Sequence, residues 1–462
     1  MQDTDTASAL LKALPALTAL TALTALTALT ALTAYPLAGA WAQEGDVGGK
    51  GIEVPVSPGQ VSRVLIALPP AINQGGAPDT IGLSERLITS VERGLKISGY
   101  FDLLDKELLP QDSTAEGMTP SFPSWFNAGA QGLIKGAFAL EGDSVKVTLK
   151  LFNVDLKTPV TLEGGVDEPV TLSRDPSVLQ AHVLRFVDQV IKHYTGTLGF
   201  FSTSIVAVRR GQGTKSVVRV TPDGATVSNI TTSGKINILP SLSKGRVYFT
   251  SYRGNGPHLF LYERGTVKSI SARPGINTGA VLSPNGNLLA VTLSHEGSSD
   301  IYLLDPSSGD IRRRLTANRG IDISPAWSPD GSQLAFVSDR EGTPQIWVMN
   351  ADGSGQRRVT FLGRYNQSPA WSPKGDQIAF TSRDEQFVFD IFTIDPKDPN
   401  KITRLTQNQG NNEEPSWSPD GRHIVFSSTR SGRAELYIMT SDGFTQRQLT
   451  QGGGFETPYW GE

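Results

Sequence analysis

Trp327-Ser-Pro-Asp-Gly331 is one of several near-copies in this chain. Leu282-Ser-Pro-Asn-Gly286 precedes it, and Trp371-Ser-Pro-Lys-Gly375 and Trp417-Ser-Pro-Asp-Gly421 follow. Leu242-Ser-Lys-Gly245 is a worn copy further upstream. The four full copies lie 45, 44 and 46 residues apart. A period of roughly 40–45 residues holding four short strands is the signature of a β-propeller blade.

The cleanest repeat, Ser324 to Thr360, reads as one such blade. Pro325-Ala-Trp327 is a short inner strand. Ser328-Pro-Asp-Gly331 is a turn with Pro second and Gly fourth, as a type I turn prefers. Gln333–Ser338 is the second strand, Arg340–Pro344 a loop and Ile346–Met349 the third strand. Asp352-Gly353 turns the chain into the outer strand, Arg357–Thr360. The same order recurs in 368–406 and 414–450, and more weakly in 239–271 and 279–316. That makes five whole blades.

The sixth is split. Ser204–Arg209 matches a second strand, and Ser216–Gly224 a third strand with its turn. The missing inner strand is at the other end, where Thr457-Pro-Tyr-Trp460 matches Ser324-Pro-Ala-Trp327. Closure of this kind removes the free sheet edges of an open array. Trp327, Trp371, Trp417 and Trp460 are expected to wedge between neighbouring blades. The Ser-Pro-Asp-Gly turns are expected to be scaffold.

Composition agrees with a turn-rich β protein: 48 Gly and 29 Pro in 462 residues. A net charge of −3 gives no strong pull toward nucleic acid or an anionic membrane. The absence of Cys excludes disulfides, thiolate metal sites, a Cys nucleophile and a lipid-modified N-terminal Cys.

Residues 1–42 read as a secretory signal. Thr-Ala-Leu repeats from Leu17 to Thr33, and Ala40-Trp41-Ala42 is a small-x-small cleavage site before Gln43. Its positive region is only Lys12, opposed by Asp3 and Asp5. Thr at every third position keeps the hydrophobicity modest, which argues against a retained span. Export of a Cys-free chain points to a bacterial periplasm. Residues 43–51 are Gly-rich and charged and are expected to be flexible.

An α+β domain is expected over 52–196, ahead of an all-β six-bladed propeller over 197–462. Val61–Leu68 reads as a strand. Leu83, Leu87, Val91 and Leu95 mark an amphipathic helix capped by Thr80 or Ser84 and stopped by Gly99. Gly132–Val154 reads as a hairpin turning at Glu141–Ser144. Asp175-Pro176 opens a second helix with the stripe Leu179, Val183, Phe186 and Val190, ending at Thr195-Gly196. Nothing in this domain looks catalytic; His182 and His193 share a helix face without an acidic partner.

Propeller function usually sits in loops at the ends of the channel. The residue opening each inner strand is Asn237, Asn277, Asp322, Asn366 or Asn412, and Phe455 at closure. Glu413 and Glu456 come one step later, and Glu414 after that. One channel mouth is therefore expected to carry a ring of Asn, Asp and Glu. Two readings stand: local turn chemistry, or a polar docking ring for a partner loop or a small cation. For an enzyme there is no Gly-x-Ser-x-Gly, no His-Glu-x-x-His and no second domain of hydrolase size. His258, His295 and His423 are scattered and solitary. No cofactor and no metal site are expected.

The whole plan resembles the TolB family of the Tol–Pal envelope system in Gram-negative bacteria. The resemblance rests on an exported N-terminus, an α/β domain and blades closed by a C-terminal Pro-x-Trp. Two further segments add to it: Ser98-Gly-Tyr-Phe101 and Tyr194-Thr-Gly-Thr-Leu-Gly-Phe-Phe201. It implies a non-enzymatic periplasmic adaptor, monomeric on its own, supporting outer-membrane integrity and cell division. By position it puts the peptidoglycan-associated lipoprotein Pal on the ring, at Asn237, Asn277, Asp322, Asn366, Asn412, Glu413 and Glu456. It gives TolA the N-terminal segment 43–56, including Ile52, Glu53 and Val54, although that segment is Gly-rich and shows no clear motif. Two rivals stand beside it: a lactonase-like propeller enzyme holding Ca²⁺ in the ring, and a sugar- or peptide-binding propeller.

Overall fold

The computed structural model describes residues 63–232, 235–254, 256–383 and 387–462. The expected signal peptide, its cleavage after Ala42, the 43–51 segment and Ile52, Glu53 and Val54 lie outside the described residues.

The α+β region is a mixed seven-stranded sheet: β1 (Val64–Ala67), β2 (Ile72–Asn73), β3 (Phe101–Leu103), β4 (Gly132–Glu141), β5 (Ser144–Asn153), β6 (Thr158–Val160) and β7 (Val170–Ser173). Its order is β3-β1-β4-β5-β6, with β2 beside β4 and β7 beside β5. β1 runs parallel to β3 and β4, and β4 and β5 form the expected hairpin, from Gly132↔Asn153 to Glu141↔Ser144. The short strands β2, β3, β6 and β7 escaped the sequence because two to four residues carry no readable period.

Helices α1 (Leu83–Ser98) and α3 (Pro176–Thr195) bury the predicted stripes against one sheet face. They meet at Gly94, where an added Cβ would sit 3.1 Å from Val187. The start of α1 differs from expectation. Asp79, not Thr80 or Ser84, accepts the first free N–H groups, from Leu83 and Ser84. A carboxylate bonded to those amides is held below its usual range. Asp175 caps α3 through Ser177 N, and Gly196 closes it at φ +74°.

Helix α2 (Phe122–Asn127) seals the opposite face over Leu133 and Phe152. Glu116 holds that segment down. It accepts from Lys135 Nζ (2.5 Å), Trp125 Nε1 (2.8 Å) and Ser121 N (2.6 Å).

Six four-stranded antiparallel sheets follow among the described residues. Blades 1 to 5 begin at Asn237, Asn277, Asp322, Asn366 and Asn412. Blade 6 takes its inner strand, Phe455–Gly461, from the end of the chain and pairs it with Ser204–Arg210 in the register Phe455↔Arg209 to Gly461↔Ser204. Gly461 lies so close to blade 1 that an added Cβ would stand 2.2 Å from Leu242 O. Two of the four tryptophans bond backward to the preceding blade as expected: Trp327 Nε1 donates to Val281 O and Trp417 Nε1 to Ala370 O, whereas Trp460 Nε1 donates to Thr203 Oγ1.

The α/β domain and the propeller share one continuous core. Phe101, Phe186 and Val190 belong to the same buried cluster as Phe200, Leu436, Ile438 and Trp460. The propeller residues in contact sit at the Ser-Pro-Asp-Gly end of blades 5 and 6. Arg422 donates to Thr197 Oγ1, Arg63 to Thr445 Oγ1, and Trp460 Nε1 to Thr203 Oγ1. The mouth, where each inner strand begins, is therefore at the opposite end of the blades.

Candidate functional site

The six inner strands share one backbone device. Their third residues, Leu239, Gly279, Ser324, Ser368, Glu414 and Thr457, all have φ between 47° and 62°. Each lies within a register break, such as the one between Ile323 and Ala326. This is a bulge built on a left-handed residue. For a residue with a Cβ that conformation costs on the order of 1–2 kcal/mol. Five of the six positions carry one, so the strain is repeated around the mouth. Sustained strain of this kind clusters at binding sites.

The bulge also redirects side chains, and the expected ring is altered by it. Asn237, Asn277, Asp322, Asn366 and Asn412 are fully buried. Most are staples to the preceding blade. Asn237 Nδ2 donates to Lys215 O (2.9 Å). Asn277 Nδ2 donates to Pro257 O, and its Oδ1 accepts from Ser271 Oγ at 2.6 Å. Asn366 Nδ2 reaches Gln345 Oε1 (2.7 Å), and Asn412 Nδ2 reaches Asp390 Oδ1 (2.9 Å). Asp322 differs: it holds Arg340 of its own blade at 3.0 Å, and that guanidinium stacks on Trp347. These five side chains hold the ring together rather than project into the opening. Asn237, Asn277, Asn366 and Asn412 also donate to backbone carbonyls of their own loops, at Lys235, Gly275, Leu362 and Gly410, as turn chemistry expects; the stapling between blades was in neither sequence reading.

What the mouth does present is acidic and lopsided. Glu413 and Glu414 on blade 5 and Glu456 on blade 6 are half-buried and influence one another. Burial, then the charges of Glu414 and Glu456, push Glu413 up to about 8. Burial and Glu456 push Glu414 up to about 7, opposed by Thr457 N, which donates to Glu414 Oε2 at 2.5 Å. Glu456 is neutralised by Arg210 and by Lys215 at 2.8 Å. Two carboxyl groups thus stand at the mouth short of positive charge. The sequence placed Glu413 and Glu456 there. It missed Arg210 and Lys215, which come from the far end of the propeller sequence and reach the mouth only because blade 6 is closed by the C-terminal strand.

Beside them, blades 3 and 4 carry exposed Phe361 (62%) and Phe387 (71%) on mouth-end loops. Arg358 lies over the first ring and Arg383 over the second. Aromatic and Arg side chains exposed together are the composition of protein–protein contact cores. Among the described residues no three His, Asp or Glu side chains converge to hold a metal ion. No described helix is long and apolar enough to cross a membrane.

Comparison with known proteins supplies the family. A model for the TolB amino-terminal domain matches residues 52–160, and one for the TolB beta propeller domain matches 191–461. The Protein TolB homolog of Chlorobium luteolum is 34% identical over 404 residues, covering 86% of this chain and 90% of that one. The Tol-Pal system protein TolB of Anaeromyxobacter dehalogenans strain 2CP-C is 39% identical over 380 residues, covering 80% and 85%. A Desulfosudis oleivorans protein of the same name matches at 36% over 231 residues, covering 48% of this chain and 50% of that protein. The crystal structure of TolB from Acinetobacter baumannii superposes with a TM-score of 0.72 at 24% identity, covering 89% and 99%, a likeness of fold.

Proposed function

The chain belongs to the TolB family, and from that premise we propose that it is a non-enzymatic periplasmic adaptor of the Tol–Pal system. Its channel mouth receives the peptidoglycan-associated lipoprotein Pal. Its N-terminal segment, at Ile52, Glu53 and Val54, is offered to TolA. The two contacts together support outer-membrane integrity and cell division. The observation that carries the reading is the mouth itself: a closed, strained ring with undercompensated carboxyl groups at Glu413 and Glu414. A rigid mouth loses little entropy when a partner docks. Carboxyl groups short of counter-charge favour a partner that brings Lys or Arg to them. Asn237, Asn277, Asp322, Asn366 and Asn412 serve this site by fixing the ring, while Glu413 and Glu456 meet the partner.

Purified Pal titrated into the folded chain tests the mouth. Glu413→Arg is expected to weaken Pal at least tenfold while leaving TolA capture unchanged. Equal Pal affinity in a variant of native thermal stability removes the mouth from the proposal. Deleting residues 43–56 is expected to abolish TolA capture and spare Pal.

A further inference from the structure

His423 is wholly buried where the α/β domain, the junction segment and blade 5 meet. Its Nε2 lies 2.8 Å from Ser98 O. A carbonyl oxygen only accepts, so Nε2 carries the hydrogen and Nδ1 of the neutral ring is a bare lone pair. Nδ1 is enclosed and has no hydrogen-bond partner among the described residues. The Tyr100 ring stands edge-on to the imidazole at 5.7 Å, and the Phe200 ring packs at 4.5 Å.

Charged and titratable groups face it from each side. Asp420 and Arg422 come from its own turn, Asp442 from the next turn of the blade, and the Tyr100 phenol from the α/β domain. Arg422 is engaged elsewhere, donating to Thr197 Oγ1 and Thr195 O. The junction segment contributes the uncharged Phe200, which in turn packs on Trp460.

We propose that His423 is a proton-operated latch: its neutral ring fastens the α/β domain to blade 5, and a proton on Nδ1 loosens that junction. The proton comes from solvent and bonds to the Nδ1 lone pair; no other bond changes. The resulting N–H would be a buried donor with nothing to receive it. Burial holds the ring's basicity below the ordinary His value, against a smaller upward pull from Asp420. An opened junction returns the ring to its ordinary value near 6.5. Between the two values the opened state binds more protons. Closure is therefore full above pH ~6.5 and weakens as pH falls below it, by up to about tenfold in the opening equilibrium per pH unit. Asp188, which accepts from Phe201 N and Ser202 N, works in the other sense. Burial pushes it up to about 6, so the closed state gains there as pH falls.

Hydrogen exchange of the full chain between pH 7.5 and 5.0, corrected for intrinsic rates, tests this at residues 98–101 and 196–203. His423→Gln keeps a donor for Ser98 O and cannot titrate. The Asp188 contribution is common to both proteins and cancels in their ratio. Junction opening in the wild type relative to H423Q is expected to grow about tenfold per pH unit below pH ~6.5. Parallel curves overturn the latch. Should H423Q fail to fold, histidine ring NMR of the wild type decides. The expected result is one ring that stays neutral below pH 6 and takes its proton together with loss of junction protection. A midpoint near 6.5 with protection unchanged overturns the proposal.

Discussion

The two ends of the propeller are made from the same repeat and are opposite in character. At the turn end the α/β domain covers blades 5 and 6, Phe200 and Trp460 are buried, and Arg422 and Trp460 bond across the junction to Thr197 and Thr203. At the mouth end five of the six inner strands carry a non-glycine residue at positive φ, and two carboxyl groups crowd a third. The repeat supplies stability at one end and carries strain and crowded carboxyl groups at the other.

Substitutions at each end can break this contrast. Phe200→Ala at the turn end is expected to cost about 3–5 kcal/mol in chemical denaturation, because it opens a cavity between His423 and Trp460. A loss below about 1 kcal/mol would mean that the junction is not where stability resides. Glu413→Gln at the mouth should act in the opposite direction. The Glu413 carboxyl is raised in the fold to about 8, so the native state holds a proton that the unfolded chain releases from pH ~4.5 upward. Stability from that group is lost as pH rises, and the variant should gain on the order of 2–4 kcal/mol at pH 8 and nothing at pH 4. A gain independent of pH would refute the charge account.

Asn277→Ala separates the two descriptions of the ring. As an interblade staple it should cost about 1–3 kcal/mol, since Ser271 Oγ and Pro257 O lose a buried partner. A side chain lining an open mouth would cost within about 0.5 kcal/mol. The smallest effect is expected for Ser368→Gly, which relieves φ 53° and should gain about 1 kcal/mol or less in thermal melts. No gain there would remove strain from the description of the mouth.

Much of this was legible in the sequence. The Ser-Pro-Asp-Gly period placed the blades, and Trp460 placed the closure, because both depend on local turn geometry and a repeating apolar register. What the sequence hid was side-chain direction. Asn277 and Asn412 stand where the period puts them. The bulge two residues later turns the strand, so that a residue counted toward the opening points into the seam between blades. The informative signal was departure from the repeat. Arg422-His423 replaces Ser332-Gln333, and it marks where the α/β domain sits. Glu413-Glu414 replaces Ile323-Ser324, and it marks the charged side of the mouth. His423 looked solitary because its partners, Ser98 and Phe200, are over 200 residues away in the chain.

The pairing of Phe455–Gly461 with Ser204–Arg210 has a consequence for how the molecule comes into being. Those strands are 246 residues apart at Phe455↔Arg209. Blades 1 to 5 can each zip locally, but blade 6 waits for the last strand to be synthesised. Until then Ser204–Arg210 exposes an unpaired strand edge. Arg210 and Lys215 also remain without the carboxylate of Glu456 that they hold in the closed ring. Ring closure and assembly of the acidic mouth are thus a single event, so a chain that lacks its final strand lacks that mouth as well.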